Sequence, residues 1–141
     1  MLPFAFIISS IIFVPNFRIY NGIDKEILSL LPNLNINDKF LIYKMPYPTF
    51  HIAFYSYASI YYNLSTPDGA LPDETIATPG VIALLTETEK NFVKGDCNNL
   101  LKNLKRLNAT AVISYKDYCG NLNKCGMNLE AETDNVCLYK I

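Results

Sequence analysis

GDCNNLLKNLKRLNATAVISY, residues 95–115, decides the fold that we expect for this chain. Leucines recur there at helical spacing, with basic residues on the opposite side, which is typical of an amphipathic helix packed on a core. These leucines are Leu100, Leu101, Leu104 and Leu107. Asp96 is placed to cap the helix, and the β-branched run after Asn108 predicts a strand. The closing run NVCLYKI, residues 135–141, predicts a second strand.

Helical and strand patterns also alternate in the residues that precede this unit. Phe40–Tyr43 and Val81–Leu85 are short apolar runs that predict strands. The stretch 48–62 predicts an amphipathic helix, with its core face formed by Phe50, Ala53, Phe54, Tyr57 and Tyr61. Prolines and glycines between residues 63 and 80 predict a long surface loop. Together these patterns predict a single α/β domain in which a short mixed sheet is flanked by helices.

The composition restricts the class of protein. The chain has 141 residues, of which half are hydrophobic, and a formal net charge of −1. This length suits one compact domain, and the apolar content argues against disorder. Because nucleic-acid binding usually needs a basic surface, we expect no nucleic-acid partner.

The N-terminal residues 1–17, MLPFAFIISSIIFVPNF, carry no charge. As a helix they would span roughly 25 Å, slightly less than a bilayer core of about 30 Å. A signal peptide would begin with basic residues and end at a small-residue cleavage site, and neither feature is visible. A buried strand or helix of a soluble core is the other alternative. We interpret residues 1–17 as the end of a membrane helix, preceded by the rest of a larger membrane protein, with residues 18–141 forming an extracytoplasmic domain.

All four cysteines lie in the last third of the chain, at Cys97, Cys119, Cys125 and Cys137. The even number indicates two disulfides formed in an oxidising compartment. A zinc site would favour C-x2-4-C spacing, whereas the closest pair here is separated by five residues. Four cysteines allow three connectivities. We predict that Cys119 bonds Cys125 around a loop, and that Cys97 bonds Cys137.

No motif in the sequence assigns a reaction. His51 is the only histidine, and no nucleophile motif accompanies it, so a hydrolase is the weakest hypothesis. The chain lacks the D-x-D-x-D-G and H-E-x-x-H metal motifs and the glycine-rich phosphate loops. We therefore expect no catalytic residue, no metal and no cofactor.

Two sequons, at Asn63 and Asn108, fit an exported chain that can be glycosylated. Asn63 opens the predicted long loop and is the better surface candidate. Asn108 also suits the end of a helix, because asparagine tolerates the left-handed conformation found there.

Four residues are candidates for ligand binding. Tyr55 and Tyr62 lie outside the predicted core face of their helix, where they could stack on sugars or form a belt at the membrane interface. Asp68 and Asp73 give the predicted long loop an acidic character, and such loops often carry function.

One resemblance rests on the order of these elements and on the runs LLKNLKRLNATAVISY and CLYKI. With the apolar N-terminus, the Phe40–Tyr43 strand, the aromatic helix and the Pro/Gly loop, this order resembles the extracytoplasmic C-terminal domains of archaeal multi-span membrane proteins. These proteins belong to the broad GT-C-like group, which includes the 6-pyruvoyl-tetrahydropterin-synthase-related membrane proteins. The similarity covers roughly residues 5–141, and it is a similarity of hydrophobic pattern and order.

The resemblance implies an accessory domain of a membrane glycosyltransferase-like protein, because the acidic catalytic residues of that group lie in early membrane loops that this chain lacks. The expected partners are the membrane, through residues 1–17, and a glycan or lipid-linked sugar. The expected location is the extracytoplasmic side of the cell membrane. The alternative is a small anchored or secreted envelope protein that binds another envelope protein.

Overall fold

A four-stranded mixed β-sheet lies at the centre of the structure, with helices on both of its faces. The computed structural model describes residues 22–43, 51–67 and 79–141. In chain order the elements are α1 (Gly22–Leu30), a 3-10 turn (Leu31–Asn33), β1 (Phe40–Tyr43), α2 (His51–Tyr62), α3 (Pro79–Lys94), α4 (Cys97–Arg106), β2 (Ala111–Tyr115), α5 (Lys116–Lys124), β3 (Asn128–Glu132) and β4 (Val136–Lys140). The predicted single α/β domain is confirmed.

The strands are arranged in the order β1-β2-β4-β3. β1 runs parallel to β2, with Phe40 opposite Ala111, while β4 is antiparallel to both β2 and β3. β1 and β2 therefore begin at the same edge of the sheet, where β4 ends at Lys140. We call this the N-terminal edge of the sheet.

Alternate side chains of the strands enter two separate cores, as the period of two in a β-strand requires. On one face, Phe40, Ile42 and Ile113 pack with buried residues of α1, the 3-10 turn and α2. On the other face, Leu41 and Val112 pack with buried residues of α3, α4 and α5. The sheet is thus the middle layer of three.

The α4–β2 unit forms as its sequence predicts. The Asp96 side chain accepts a hydrogen bond from the Asn99 N–H at 3.2 Å and caps the helix. Leu100 and Leu104 are fully buried against the sheet. Asn108 ends this helical segment with a φ of 53°, the left-handed conformation that asparagine tolerates.

The strand predicted over Val81–Leu85 is wrong, because these residues lie in α3. The helix continues through the polar Thr-Glu-Thr-Glu-Lys segment, with one buried residue inside that segment and another beyond it. Phe92 is fully buried and stacks on Tyr43 of β1, with ring centroids 5.6 Å apart. Thr88 is buried one turn earlier on the same side, and its hydroxyl donates to the Leu84 carbonyl.

The loop predicted between Cys119 and Cys125 is also wrong, since most of it is the helix α5. Leu122 in the last turn of this helix is fully buried in the core. The sequence prediction also missed β3, an edge strand with four exposed residues out of five and a register irregularity between Leu129 and Ala131.

Several predictions concern residues outside the described ranges. They are the membrane segment 1–17, the helix start at 48–50 and most of the loop between residues 63 and 80, including Asp68 and Asp73.

Candidate functional site

Tyr55, one of the predicted ligand-binding residues, is part of the core and is only 2% exposed. Its hydroxyl oxygen accepts a hydrogen bond from the Ile42 N–H at 2.9 Å, and its ring packs edge-on against Phe40 at 5.3 Å. The prediction that Tyr55 binds a ligand is therefore wrong. Apolar residues occur around most of the circumference of α2, so hydrophobicity does not identify its core face. Tyr61, which was predicted on that face, is instead 68% exposed.

The hydroxyl of Tyr55 completes the outer edge of β1. Successive outward-facing N–H groups of this edge strand need acceptors that a fifth strand would otherwise supply. The Phe40 N–H donates to the Ser65 carbonyl at 3.1 Å, and the Ile42 N–H donates to Tyr55. A loop carbonyl and a side-chain hydroxyl thus satisfy this edge.

Tyr62, the second predicted tyrosine, remains on the surface at the end of α2. It belongs to a group of three rings, in which Tyr57 lies 4.4 Å from Tyr61 and 6.1 Å from Tyr62 between ring centroids. Ile60, Tyr61 and Tyr62 are 75%, 68% and 37% exposed. The sequence of α2 contains no aspartate, glutamate, lysine or arginine.

The four cysteines form two disulfides, Cys97–Cys125 and Cys119–Cys137. The predicted pairs, Cys119–Cys125 and Cys97–Cys137, are wrong. Six residues along a helix separate two Cα atoms by about 9 Å, which is beyond the reach of a disulfide. Cys119 therefore bonds Cys137 in β4, while Cys125, at the end of α5, bonds Cys97 at the start of α4.

The two disulfides overlap along the chain, because Cys119 lies inside the loop closed by the Cys97–Cys125 bond and Cys137 lies outside it. Both belong to the core on the α3, α4 and α5 side of the sheet. They join α4 to α5 and α5 to β4. All four cysteines take part in these two disulfides, as expected for a structural role.

Both sequon asparagines are exposed and follow a helix. Asn63 comes directly after α2 and Asn108 comes two residues after the end of α4, each with a φ of 53°. The hydroxyl of Thr110, the third residue of the second sequon, donates to Asp38 Oδ1 at 2.9 Å. The positions are accessible, and glycosylation of either asparagine stays a prediction.

A groove of about 750 Å³ opens at the N-terminal edge of the sheet. It lies between the segments that lead into β1 and β2 and the last turns of α4. Its lining combines side-chain amides, two lysines and a hydroxyl with aliphatic surface: Asn37, Lys39, Leu101, Lys105, Asn108, Ala109, Thr110 and Ile141. The groove was not predicted, because its lining residues come from three distant stretches of the chain. Of these residues, only Asn108 was a predicted site residue, as a glycosylation candidate.

Asp38 lies behind the groove, where it accepts a hydrogen bond from the lining residue Thr110. Its carboxylate accepts from Thr110 and from the Asn35 N–H and pairs with Lys140 at 3.1 Å. Burial alone would raise the pKa of Asp38, but these hydrogen bonds and the charge of Lys140 hold it below its ordinary value. Lys39 and Lys105, in contrast, have no ion-pair partner among the residues that the structure describes.

A second carboxylate joins α1 to the hairpin between β3 and β4. Glu26 accepts hydrogen bonds from the Asn135 N–H at 2.8 Å, from the Asn135 side chain at 2.7 Å and from the Thr133 hydroxyl. Burial alone would raise its pKa, but these donors outweigh burial and lower it. Glu26 is therefore a structural group.

Within residues 22–43, 51–67 and 79–141, no group of three histidine, cysteine or carboxylate residues is placed to hold a metal ion. None of the helices described in those ranges combines the length and hydropathy needed to cross a bilayer.

Comparison with protein-family models, curated proteins and solved structures gave no match to this chain.

Proposed function

We propose that this chain is an extracytoplasmic, non-catalytic accessory domain of a membrane glycosyltransferase-like protein, and that it recognises the sugar part of a membrane-bound substrate. The observation that carries the proposal is the groove at the N-terminal edge of the sheet. The resemblance of the element order to the GT-C-like group supplies the wider context.

The lining of the groove suits a sugar. Ligand sites are usually concave and mostly apolar, with a few polar groups that fix the orientation of the ligand. Asn37 and, when it carries no glycan, Asn108 supply amides that both donate and accept hydrogen bonds, which matches the dual character of sugar hydroxyls. Leu101 and the exposed Ile141 supply apolar surface for the C–H face of a sugar ring.

The two lysines widen the range of sugars that the groove can hold. Lys39 and Lys105 have no ion-pair partner in the described part of the chain, so their ammonium groups are available to a ligand. Acidic sugars and sugars linked through phosphate would gain from them.

The proposed location is supported by the two disulfides. Disulfides of this kind persist in oxidising compartments and are rare in the reducing cytosol. Mass mapping of the non-reduced protein from its native host should recover peptides linked through Cys97–Cys125 and Cys119–Cys137. Free thiols at all four positions would contradict an extracytoplasmic location.

Glycan binding by the full chain, held in nanodiscs, tests the proposed recognition. A glycan array would identify the bound class, and the variants Asn37→Ala and Lys105→Ala should then weaken binding. Each lost hydrogen bond is expected to reduce affinity up to about tenfold. Lys102→Ala is the matched control, because Lys102 is exposed on the same helix as Lys105 but does not line the groove.

The position of Asn108 requires a different substitution. Asn108→Gly removes the side-chain amide while keeping a residue that accepts the positive φ. It should therefore weaken glycan binding without unfolding the domain. The proposal fails if no glycan binds, or if the groove variants bind as tightly as Lys102→Ala.

A further inference from the structure

We infer that Asn108 accepts an N-linked glycan only before the domain folds, and that a glycan attached there covers the groove at the N-terminal edge of the sheet. The groove is the site of the proposed function, so the effect of the glycan on sugar binding rests on that function. The order of glycosylation and folding does not depend on it.

Glycan transfer uses two side chains of the sequon, as the N-x-S/T pattern itself indicates. The asparagine Nδ2 attacks C1 of the first sugar of a lipid-linked oligosaccharide. A C1–N bond forms as the C1–O bond to the lipid phosphate breaks, the phosphate oxygen leaves with the electron pair, and the amide nitrogen loses one proton. Because the pattern also demands a hydroxyl two residues further on, the enzyme must reach that hydroxyl as well as the amide.

In the folded domain Asn108 is exposed, but the hydroxyl of its sequon is already engaged. Thr110 Oγ1 donates to Asp38 Oδ1 at 2.9 Å and accepts from the Lys39 N–H at 3.1 Å. Asp38 is held in its turn by the ion pair with Lys140. A hydroxyl has one hydrogen to donate, and here a fixed carboxylate takes it. An enzyme therefore reaches the Thr110 hydroxyl only by displacing these contacts.

The backbone of this sequon is fixed on both sides, because it leads into β2, which lies between β1 and β4. The Thr110 N–H donates to the Lys39 carbonyl at 2.8 Å, and the Thr110 carbonyl accepts from the Ile141 N–H at 3.0 Å. Ala109 is 2% exposed, and its N–H donates to the Leu104 carbonyl at 2.9 Å. Presenting the sequon to an enzyme requires the start of β2 to separate from both neighbours. Openings of an inner strand cost much of the global stability.

The Asn63 sequon is held less firmly and provides a comparison within the same chain. It follows α2 at the outer edge of β1, where the Ser65 carbonyl accepts from the Phe40 N–H. Ser65 is exposed, and its hydroxyl has no hydrogen-bond partner among the residues that the structure describes. Leu64 is buried, so opening this sequon disturbs the end of α2, but no inner strand has to move. We expect Asn63 to remain an acceptor after folding.

A glycan on Asn108 would begin at the wall of the groove. Asn108 lines the groove beside Lys105 and Thr110. The groove has a volume of about 750 Å³, a size that one small ligand fills, so an oligosaccharide attached to its wall would cover it. The chain would then exist in two forms, one covered by its own glycan and one with an open groove. Folding fixes the choice, because the sequon closes when the sheet forms.

The order of glycosylation and folding is tested with one enzyme in two arms. In the first arm, a host that makes an N-glycosylation enzyme with N-x-S/T specificity exports the full chain. In the second arm, the full chain folds in a host without that enzyme and is purified with both disulfides formed. It is then given the purified enzyme and lipid-linked oligosaccharide. Mass spectrometry of glycopeptides measures the occupancy of Asn63 and Asn108 in each arm.

The expected result is modification of Asn63 in both arms and a loss of more than about tenfold at Asn108 in the second arm, as protection by a closed strand predicts. Asp38→Ala releases the Thr110 hydroxyl and should raise the occupancy of Asn108 in the second arm. Glu130→Ala is the matched control, because Glu130 also pairs with Lys140 but does not contact Thr110.

The covering of the groove is measured on chain from the first arm, in an Asn63→Gly background that leaves Asn108 as the glycan acceptor and keeps a residue suited to the positive φ. Acetylation with N-hydroxysuccinimide acetate reports the access to lysines. The glycan should slow the labelling of Lys105 several-fold relative to the unglycosylated chain. Lys102, on the same helix but outside the groove lining, should be labelled at an unchanged rate.

Equal occupancy of Asn108 in the two arms, or no glycan at Asn108 in the first arm, would overturn the inferred order. An equal loss at Asn63 and Asn108 after folding would overturn the role given to the inner strand. Unchanged labelling of Lys105 would refute the covering of the groove. None of these measurements uses a groove ligand, so a failure of the proposed sugar recognition on the glycan array is distinguishable from a failure here.

Discussion

Replacing Tyr55 by phenylalanine should destabilise the domain far more than the loss of one hydroxyl group suggests. Tyr55 is 2% exposed, and its hydroxyl is the acceptor for the Ile42 N–H on the outer edge of β1. Ile42 is itself buried, so the variant leaves an amide without an acceptor in a place that water does not reach. Such an orphaned donor costs about 1–3 kcal/mol.

Urea unfolding at equilibrium measures this loss. A change of about 2 kcal/mol should lower the unfolding midpoint by on the order of 1 M. The matched control is Tyr61→Phe, which removes a hydroxyl from the same helix at an exposed position. Amide exchange at Ile42 should accelerate only in Tyr55→Phe. If the free energies of unfolding of both variants lie within about 0.5 kcal/mol of the parent value, the proposed role of the Tyr55 hydroxyl is refuted.

Three further predictions follow from the same structure. Replacing Cys119 and Cys137 together by alanine should lower the free energy of unfolding by about 3 kcal/mol, since their bond closes a loop of 18 residues; an unchanged urea midpoint would contradict this. Because folding lowers the pKa of Glu26, the stabilising contribution of this carboxylate is present at pH values above its ordinary pKa of 4.5. That contribution is lost as the pH falls through the lower pKa of the folded state. Glu26→Gln should therefore unfold more readily at neutral pH and lose stability less steeply in acid, as measured by thermal melts across that range. Asn108→Ala should be less stable than Asn108→Gly by about 1 kcal/mol in chemical denaturation, because the positive φ favours glycine; the reverse order would count against a strained backbone there.

The helices and strands that were predicted correctly are those whose hydrophobic residues follow one clear periodicity. In α4, leucines on one side and a capping aspartate fix both the helix type and its start, and the structure buries Leu100 and Leu104 accordingly. β1 and β2 are apolar runs that are buried on both faces, which is the usual pattern of strands in a covered sheet.

The errors arise where local composition and longer-range spacing disagree. Residues 81–85 are apolar and partly β-branched, so a five-residue window favours a strand. Thr88 and Phe92 continue the buried side at helical spacing, and only a window that crosses the polar segment detects it. α5 was missed because the assumed bond between Cys119 and Cys125 required a loop.

The candidate site was less predictable than the fold. In α2 almost every residue is apolar, so hydrophobicity could not separate the buried Tyr55 from the exposed Tyr62. The groove brings together Asn37, Lys105 and Thr110, and no local pattern links residues so far apart. Its location depends on the parallel pairing of β1 and β2 and on the helix that precedes β2.

The overlapping disulfides make the C-terminal third of the chain tolerant of backbone cleavage. A cut between Cys97 and Cys119 leaves the pieces joined through Cys125, and a cut between Cys125 and Cys137 leaves them joined through Cys119. Between Cys119 and Cys125, both bonds connect the two sides of the break. A protease that cuts once in this region would therefore nick the domain without releasing a fragment.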